Sequence, residues 1–189
     1  MSVSVFTSQL RGLFDGTNLK SFKEVRMAEL QYDGSDLVVR SVEITSENAE
    51  LLALLIEQSL TLKGLSFENC TFLGGFLRVC DAISTNETLV EINIELYELS
   101  EDDINYLLNS LSGVASLNRL NLYTDVMALR ESLDQLILFL ETNATLTEFE
   151  FQTEILDLRH VDASQRNELL AVLLGRFSTT LFRSPEALS

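Results

Sequence analysis

The groups in this chain with which chemistry could be done are few in kind: one histidine, two cysteines, 29 carboxylates and the Asn-X-Thr tripeptides at Asn69, Asn86 and Asn143. A Ser-His-Asp or Cys-His arrangement would have to use His160, yet no Gly-X-Ser-X-Gly nucleophile elbow accompanies it. His160 therefore reads as a surface or capping residue near a helix start. Gly74-Gly75 is not followed by Gly-Lys-Ser/Thr, so it is no phosphate loop; the pair reads as small residues inside a helix that let it approach its neighbours closely. Cys70 and Cys80 are too few for a disulfide framework or a structural zinc site. They read as packing residues, Cys70 at a strand-to-helix turn and Cys80 in the core. The carboxylates match no EF-hand loop and no pair stands out. The expectation is no catalytic residue, no cofactor and no metal ligand.

The Asn-X-Thr tripeptides are acceptor patterns for N-glycosylation in secreted chains. Two of them open stretches that nearly repeat each other, TNETLVEINI at 85–94 and TNATLTEFEF at 142–151. They are either glycan sites or two visible copies of something more regular. Composition bears on the choice. A chain of 189 residues with 46% hydrophobic content suits one domain with a substantial core. Its apolar runs, Leu51–Ile56 and Leu136–Leu140 among them, fall far short of the roughly 20 residues a bilayer span requires. The start, MSVSVFTSQLRGLFDG, has no basic segment followed by a continuous apolar one and does not read as a signal peptide. The expected location is a reducing compartment, the cytoplasm, and there the glycan reading weakens. A formal charge of −16 with only 13 scattered basic residues argues against a nucleic acid partner.

The elements that position these residues emerge from an internal repeat. Leu62-Lys-Gly-Leu65-Ser-Phe67, Leu89-Val-Glu-Ile92-Asn-Ile94, Leu117-Asn-Arg-Leu120-Asn-Leu122 and Leu146-Thr-Glu-Phe149-Glu-Phe151 share the form L-x-x-L-x-L. Their starts at 62, 89, 117 and 146 lie 27, 28 and 29 residues apart. Looser copies read upstream at Val39–Ile44 and Phe22–Met27. Between copies the apolar period lengthens from about two to about 3.6, the mark of strand followed by helix. Ile104, Leu107, Leu108 and Leu111 follow the cap-like Ser100-Glu-Asp-Asp103. Leu129, Leu133, Leu136, Ile137 and Leu140 form another such face. Phe72, Phe76, Cys80 and Ile83, with Leu73 and Leu77, form an earlier one, and residues 162–177 read as a last helix. No single unit buries its own apolar face, so the units must stack. Asn86 and Asn143 then fall where a helix ends, which suits a residue that tolerates the left-handed conformation.

Leu62-x-x-Leu65-x-Phe67-x-x-Cys70 resembles the leucine-rich-repeat signature, and a period near 28 with a full helix is similar to the ribonuclease-inhibitor-like class. Later copies place Tyr97, Asp125 and Glu154 where Cys70 stands, so the usual Asn/Cys ladder is not kept. The resemblance implies an α/β solenoid, a horseshoe segment with parallel strands on the concave face and helices on the convex face. The expected division is an N-terminal cap over 1–44 (a short helix over Val5–Phe14, then hairpin-like strands turning near Tyr32–Ser35), repeats over 45–177, and a tail or cap over 178–189.

The residues between the buried leucines then form three rows on the concave face. They are Glu24, Ser41, Gly64, Glu91, Arg119 and Glu148; Arg26, Glu43, Ser66, Asn93, Asn121 and Glu150; and Ala28, Thr45, Glu68, Glu95, Tyr123 and Gln152. Seven of the 18 are Glu and two are Arg, although glutamate is a poor strand former and like charges side by side destabilise a sheet. The sequence therefore reads as a protein-interaction module, an inhibitor, scaffold or adaptor that offers an acidic face to a basic protein partner. Its expected contact residues are Glu43, Glu68, Glu91, Asn93, Glu95, Arg119, Asn121, Tyr123, Glu148 and Glu150. The competing reading is an ordinary solvated face on an acidic protein. An alternative role is a bacterial effector delivered into a host cell, with the polar tail 178–189 as its signal rather than a cap built on Leu181 and Phe182. A further alternative is an enzyme with a nonstandard carboxylate site.

Overall fold

Residues that alternate apolar and polar after each repeated leucine form strands, and the stretches of 3.6-residue spacing between them form helices. A computed structural model of the chain describes residues 5–15, 18–19, 25–26, 29–96, 98–124 and 131–152. In chain order the elements are α1 (Val5–Gly12), β1 (Phe14–Asp15), β2 (Asn18–Leu19), β3 (Val25–Arg26), β4 (Leu30–Tyr32), β5 (Asp36–Arg40), β6 (Glu43–Ile44), α2 (Ser46–Gln58), β7 (Gly64–Phe72), α3 (Phe76–Thr85), β8 (Glu91–Leu96), α4 (Glu101–Ser112), β9 (Arg119–Tyr123), α5 (Leu133–Thr142) and β10 (Glu148–Gln152). The main sheet runs β10-β9-β8-β7-β5-β4-β3, with β6 paired to the far end of β7. Strands β5, β7, β8, β9 and β10 are mutually parallel, whereas β4 and β3 turn back antiparallel beside β5. β1 and β2 form a separate antiparallel pair.

Register explains why this architecture holds. Leu37, Leu65, Ile92, Leu120 and Phe149 line up across the five parallel strands, and Val39, Phe67, Ile94 and Leu122 form the adjoining column. All of these are buried, in one core with Leu52 of α2, Val79 of α3, Leu107 of α4 and Leu136 of α5. The helices thus cover the face to which these leucines point, and the intervening residues face the other way. Burial of each such side chain contributes roughly 1.5–3 kcal/mol, and only stacking neighbours supply the cover.

Several local expectations meet the structure directly. α1 lies within the expected Val5–Phe14 segment. It docks on α2 through Thr7, whose hydroxyl donates to the buried Asn48 Oδ1 at 2.8 Å. The β4–β5 hairpin turns at Asp33-Gly34-Ser35, where the Asp33 carboxylate accepts from the backbone N–H of Ser35 and Asp36, both at 2.8 Å. Gly34 has φ of 89°, which an L side chain would resist. The Ser100/Asp103 pair is a reciprocal capping box opening α4. Gly74-Gly75 does permit close approach, in the turn before α3 rather than inside a helix. A Cβ on Gly75 would stand 2.6 Å from the Ala49 Cβ.

Two readings are corrected. Leu73 and Leu77 are not part of the buried face of α3; they are 62% and 46% exposed. α3 begins only at Phe76, so Leu73 belongs to the strand exit, and Leu77 falls outside the arc of Phe76, Val79, Cys80 and Ile83. The first copy of the repeat is not Val39–Ile44. Register places Leu37 and Val39 beside Leu65 and Phe67, so the copy runs from Gly34 to Val39, with its start 28 residues before Leu62. Ser41, with φ of 51°, breaks the strand before β6 begins. The parallel array therefore starts at Asp36, inside the segment expected as a cap. His160, the helix over 162–177, the tail 178–189, Phe22–Glu24, Leu129, Tyr97, Asp125 and Glu154 lie outside the described residues.

Candidate functional site

The turns that deliver each strand decide where its side chains stand. Asn86 is 5% exposed and caps the end of α3 with φ −81° and ψ 120°; Asn143 caps α5 with φ −75° and ψ 111°. Both are extended, so the left-handed reading of these asparagines is overturned. Their side chains do the work instead. Asn86 Oδ1 accepts from the N–H of Thr88 at 2.8 Å and of Leu89 at 3.0 Å, while Nδ2 donates to the carbonyls of Ile56 and Ser59 at 2.7 and 3.3 Å. Asn143 Oδ1 accepts in the same way from Thr145 and Leu146. The Asn86 amide nitrogen, the atom a glycan would occupy, is buried against two carbonyls. The threonine of the tripeptide has its own task. Thr88 Oγ1 donates to the Leu62 carbonyl at 2.7 Å, Ser116 Oγ to Leu89 at 2.6 Å, and Thr61 Oγ1 to Gly34. The hydroxyl just before Leu62, Leu89 and Leu117 ties its segment to the preceding one, whereas the Thr145 hydroxyl before Leu146 bonds Asn143 Oδ1 within its own turn. The recurrence of Thr61, Thr88 and Ser116 before the leucines was the signal for this ladder, and the motif reading passed over it. Asn69 differs: it is exposed, at φ of 53°, in an irregularity of β7 between Glu68 and Cys70.

With the strands so placed, the open face of the parallel sheet carries three rows in register. The first is Asp36, Gly64, Glu91, Arg119 and Glu148; the middle is Val38, Ser66, Asn93, Asn121 and Glu150; the third is Arg40, Glu68, Glu95, Tyr123 and Gln152. Of the expected contact residues, Glu68, Glu91, Asn93, Glu95, Arg119, Asn121, Tyr123, Glu148 and Glu150 share this face. Glu43 does not: it lies in β6 opposite Thr71, past the break at Ser41. Asp36, Val38 and Arg40 take the positions the sequence reading had given to Ser41, Glu43 and Thr45. The missed signal was the 28-residue step back from Leu62 to Gly34.

The charges on this face alternate more than composition suggests. Arg40 grips both carboxylate oxygens of Glu68 with Nε and Nη2, a two-pronged geometry that only a guanidinium offers. Ser66 Oγ donates to Glu68 Oε1 at 3.1 Å and accepts from Asn93 Nδ2 at 2.9 Å. One polar chain thus crosses β5, β7 and β8. It also relieves the like-charge contact of Glu68 with Glu95, which stand opposite each other. Arg119 reaches both ways across the sheet, with Nη1 3.1 Å from Glu91 Oε2 and Nε 2.7 Å from Glu148 Oε2. The Arg119 hydrogen bond holds the Glu148 carboxyl below the usual glutamate range.

The remaining reactive groups are quiet. Cys70 and Cys80 are free thiols, both buried, and burial pushes both thiols up, away from the reactive thiolate. Among the described residues no group of three or more His, Cys, Asp or Glu is placed to hold a metal ion. No described helix is long and apolar enough to cross a membrane.

No family model matches the chain, and no curated protein matches it. Among solved structures the chain is similar to the tropomodulin C-terminal domain of Caenorhabditis elegans. That likeness has 17% identity over 92% of this chain and 97% of that one, with a TM-score of 0.44.

Proposed function

We propose that this chain is a leucine-rich-repeat solenoid of the ribonuclease-inhibitor-like type that binds a protein partner on its open, concave sheet face, as an inhibitor, scaffold or adaptor. The observation that carries this reading is the set of three in-register rows on five parallel strands. There the side chains are spared from core packing and are half-buried or exposed wherever their burial is described. A backbone held by its neighbours leaves such positions free to vary in chemistry without cost to the fold. Six of the 15 positions are acidic and two are arginine, which favours a partner with a basic surface.

The mode of action is stoichiometric. A rigid sheet presents its side chains with little backbone movement, and Tyr123 and Arg119 supply the aromatic and guanidinium anchors enriched at binding hot spots. Charge reversal at Glu91, Glu95, Glu148 and Glu150 tests the reading against any partner recovered with the wild-type chain. Loss of that partner by the reversed chain, and by the wild-type chain at about 0.5 M salt, is the expected result. A partner retained by the reversed chain at low salt would sink the acidic-face reading.

A further inference from the structure

The two ends of the open face differ in formal charge, and that difference locates the docking surface. On β5 and β7 the rows hold Asp36, Val38, Arg40, Gly64, Ser66 and Glu68. Two acids face one arginine there, and Arg40 and Ser66 both bond Glu68. Gly64 offers no side chain to a partner. On β8, β9 and β10 the rows form a three-by-three grid: Glu91, Asn93 and Glu95; Arg119, Asn121 and Tyr123; Glu148, Glu150 and Gln152. Four carboxylates surround a single cation, and Arg119 is divided between Glu91 and Glu148 on the strands either side. The formal balance is therefore −3 on this grid and −1 on the other end.

Asn121 is the middle residue of the grid and half-buried. The next residue of β9 on the same face is Tyr123, which stands in register with Glu95 and Gln152. Strands spaced about 4.8 Å apart place these carboxylates within reach of one incoming basic side chain. An aromatic face beside carboxylates is the combination that holds a lysine or arginine head group, through charge and cation–π attraction together.

We propose that the β8–β10 end of the face is the docking surface, that it is centred on Asn121, and that its occupant is a lysine- or arginine-bearing segment of a partner protein, charge complementarity being the ground for that choice. The proposal rests on the protein-binding reading above and sharpens where on the face, and by what chemistry, that binding occurs.

The test uses the full chain and a fluorescein-labelled decapeptide of alternating lysine and serine, with the glutamate–serine peptide as control, read by fluorescence anisotropy at low salt. Two double variants change the net charge equally: Glu95→Gln with Glu150→Gln on the grid, and Asp36→Asn with Glu68→Gln on the other end. Equal net charge removes long-range attraction from the comparison, and circular dichroism confirms that both variants fold. The expected result is a loss of about tenfold in affinity for the lysine peptide in the grid variant and less than about twofold in the other. Equal losses, or a larger loss from the β5–β7 variant, would overturn the placement while leaving the acidic-face reading standing. Wild-type chain that takes the glutamate peptide as well as the lysine peptide, or neither, would overturn the acidic-face reading as well.

Discussion

Two turns with the same task are built differently. Before β8 the chain leaves α3 through Asn86, and the side-chain Oδ1 accepts from the N–H of Leu89 at 3.0 Å. Before β9 it leaves α4 through Val114, which has no polar side chain, and the backbone carbonyl of Val114 accepts from the N–H of Leu117 at 3.2 Å. The leucine that leads into the strand is satisfied either way. The second turn manages it because the end of α4 tightens, with Gly113 and Val114 donating to Ser110 and Leu111 three residues back. The Asn86 turn does one thing more: its Nδ2 reaches back to Ile56 and Ser59 of the preceding repeat. An asparagine here is a cross-repeat tie as well as a cap, whereas valine is only a cap. This is why the tripeptide could recur in some repeats and be missing from others without breaking the array.

The comparison can be broken by mutation. Asn86→Ala removes five side-chain hydrogen bonds at a buried site and leaves two carbonyls, two N–H groups and the Thr88 hydroxyl without that partner, so it should cost about 2–4 kcal/mol in urea unfolding. A cost below about 1 kcal/mol would mean that the tie is dispensable. Val114→Asn, which writes the missing motif into the third turn, should destabilise rather than stabilise, by about 1–3 kcal/mol. A polar amide would be buried where the backbone already holds Leu117; a gain in stability would refute the backbone-cap reading. Thr88→Val and Ser116→Ala remove the hydroxyl that both turns share, and each should cost about 1 kcal/mol, alike in the two turns despite their different caps. The smallest effect concerns the strand that the Val114 turn delivers. If that turn sets β9 in register, Arg119 holds Glu148 and the carboxyl titrates below the ordinary value of about 4.3. A carboxyl lowered in the fold adds stability above its unfolded pKa and loses it as the pH falls through the lowered value. Side-chain NMR titration should show the Glu148 midpoint rising in Arg119→Gln; an unmoved midpoint would contradict the register.

Much of this was legible in advance, and the failures have definite causes. Four copies of L-x-x-L-x-L found β7, β8, β9 and β10, because each copy keeps an apolar residue at all three positions. The fifth was hidden because its first position is Gly34, which the hairpin turn requires for its positive φ. The false copy five residues later carried Glu43 into the rows and left Arg40 out, so the face read as more acidic than it is. Leu73 and Leu77 read as core residues because periodicity counts apolar residues without knowing where a helix begins, and Gly75 sets that point. The asparagines do stand at the helix ends that the sequence indicates, but not in the conformation it suggests. Backbone propensity pointed to a left-handed turn, but a side chain with both a donor and an acceptor can bridge two repeats, and that depends on contacts some 27–30 residues away. Charge pairing across strands was likewise out of reach until the register was known.

The central claim is that the β8–β10 end of the open face is where a basic partner is held. Backbone amide shift mapping with the lysine–serine peptide tests it most directly, since every described strand reports separately. The account predicts that the shifted amides fall within Glu91–Leu96, Arg119–Tyr123 and Glu148–Gln152, with β5 and the helices α2, α3 and α4 unmoved. Shifts centred on β5 and β7, or on the outer surface of the helices, would contradict it.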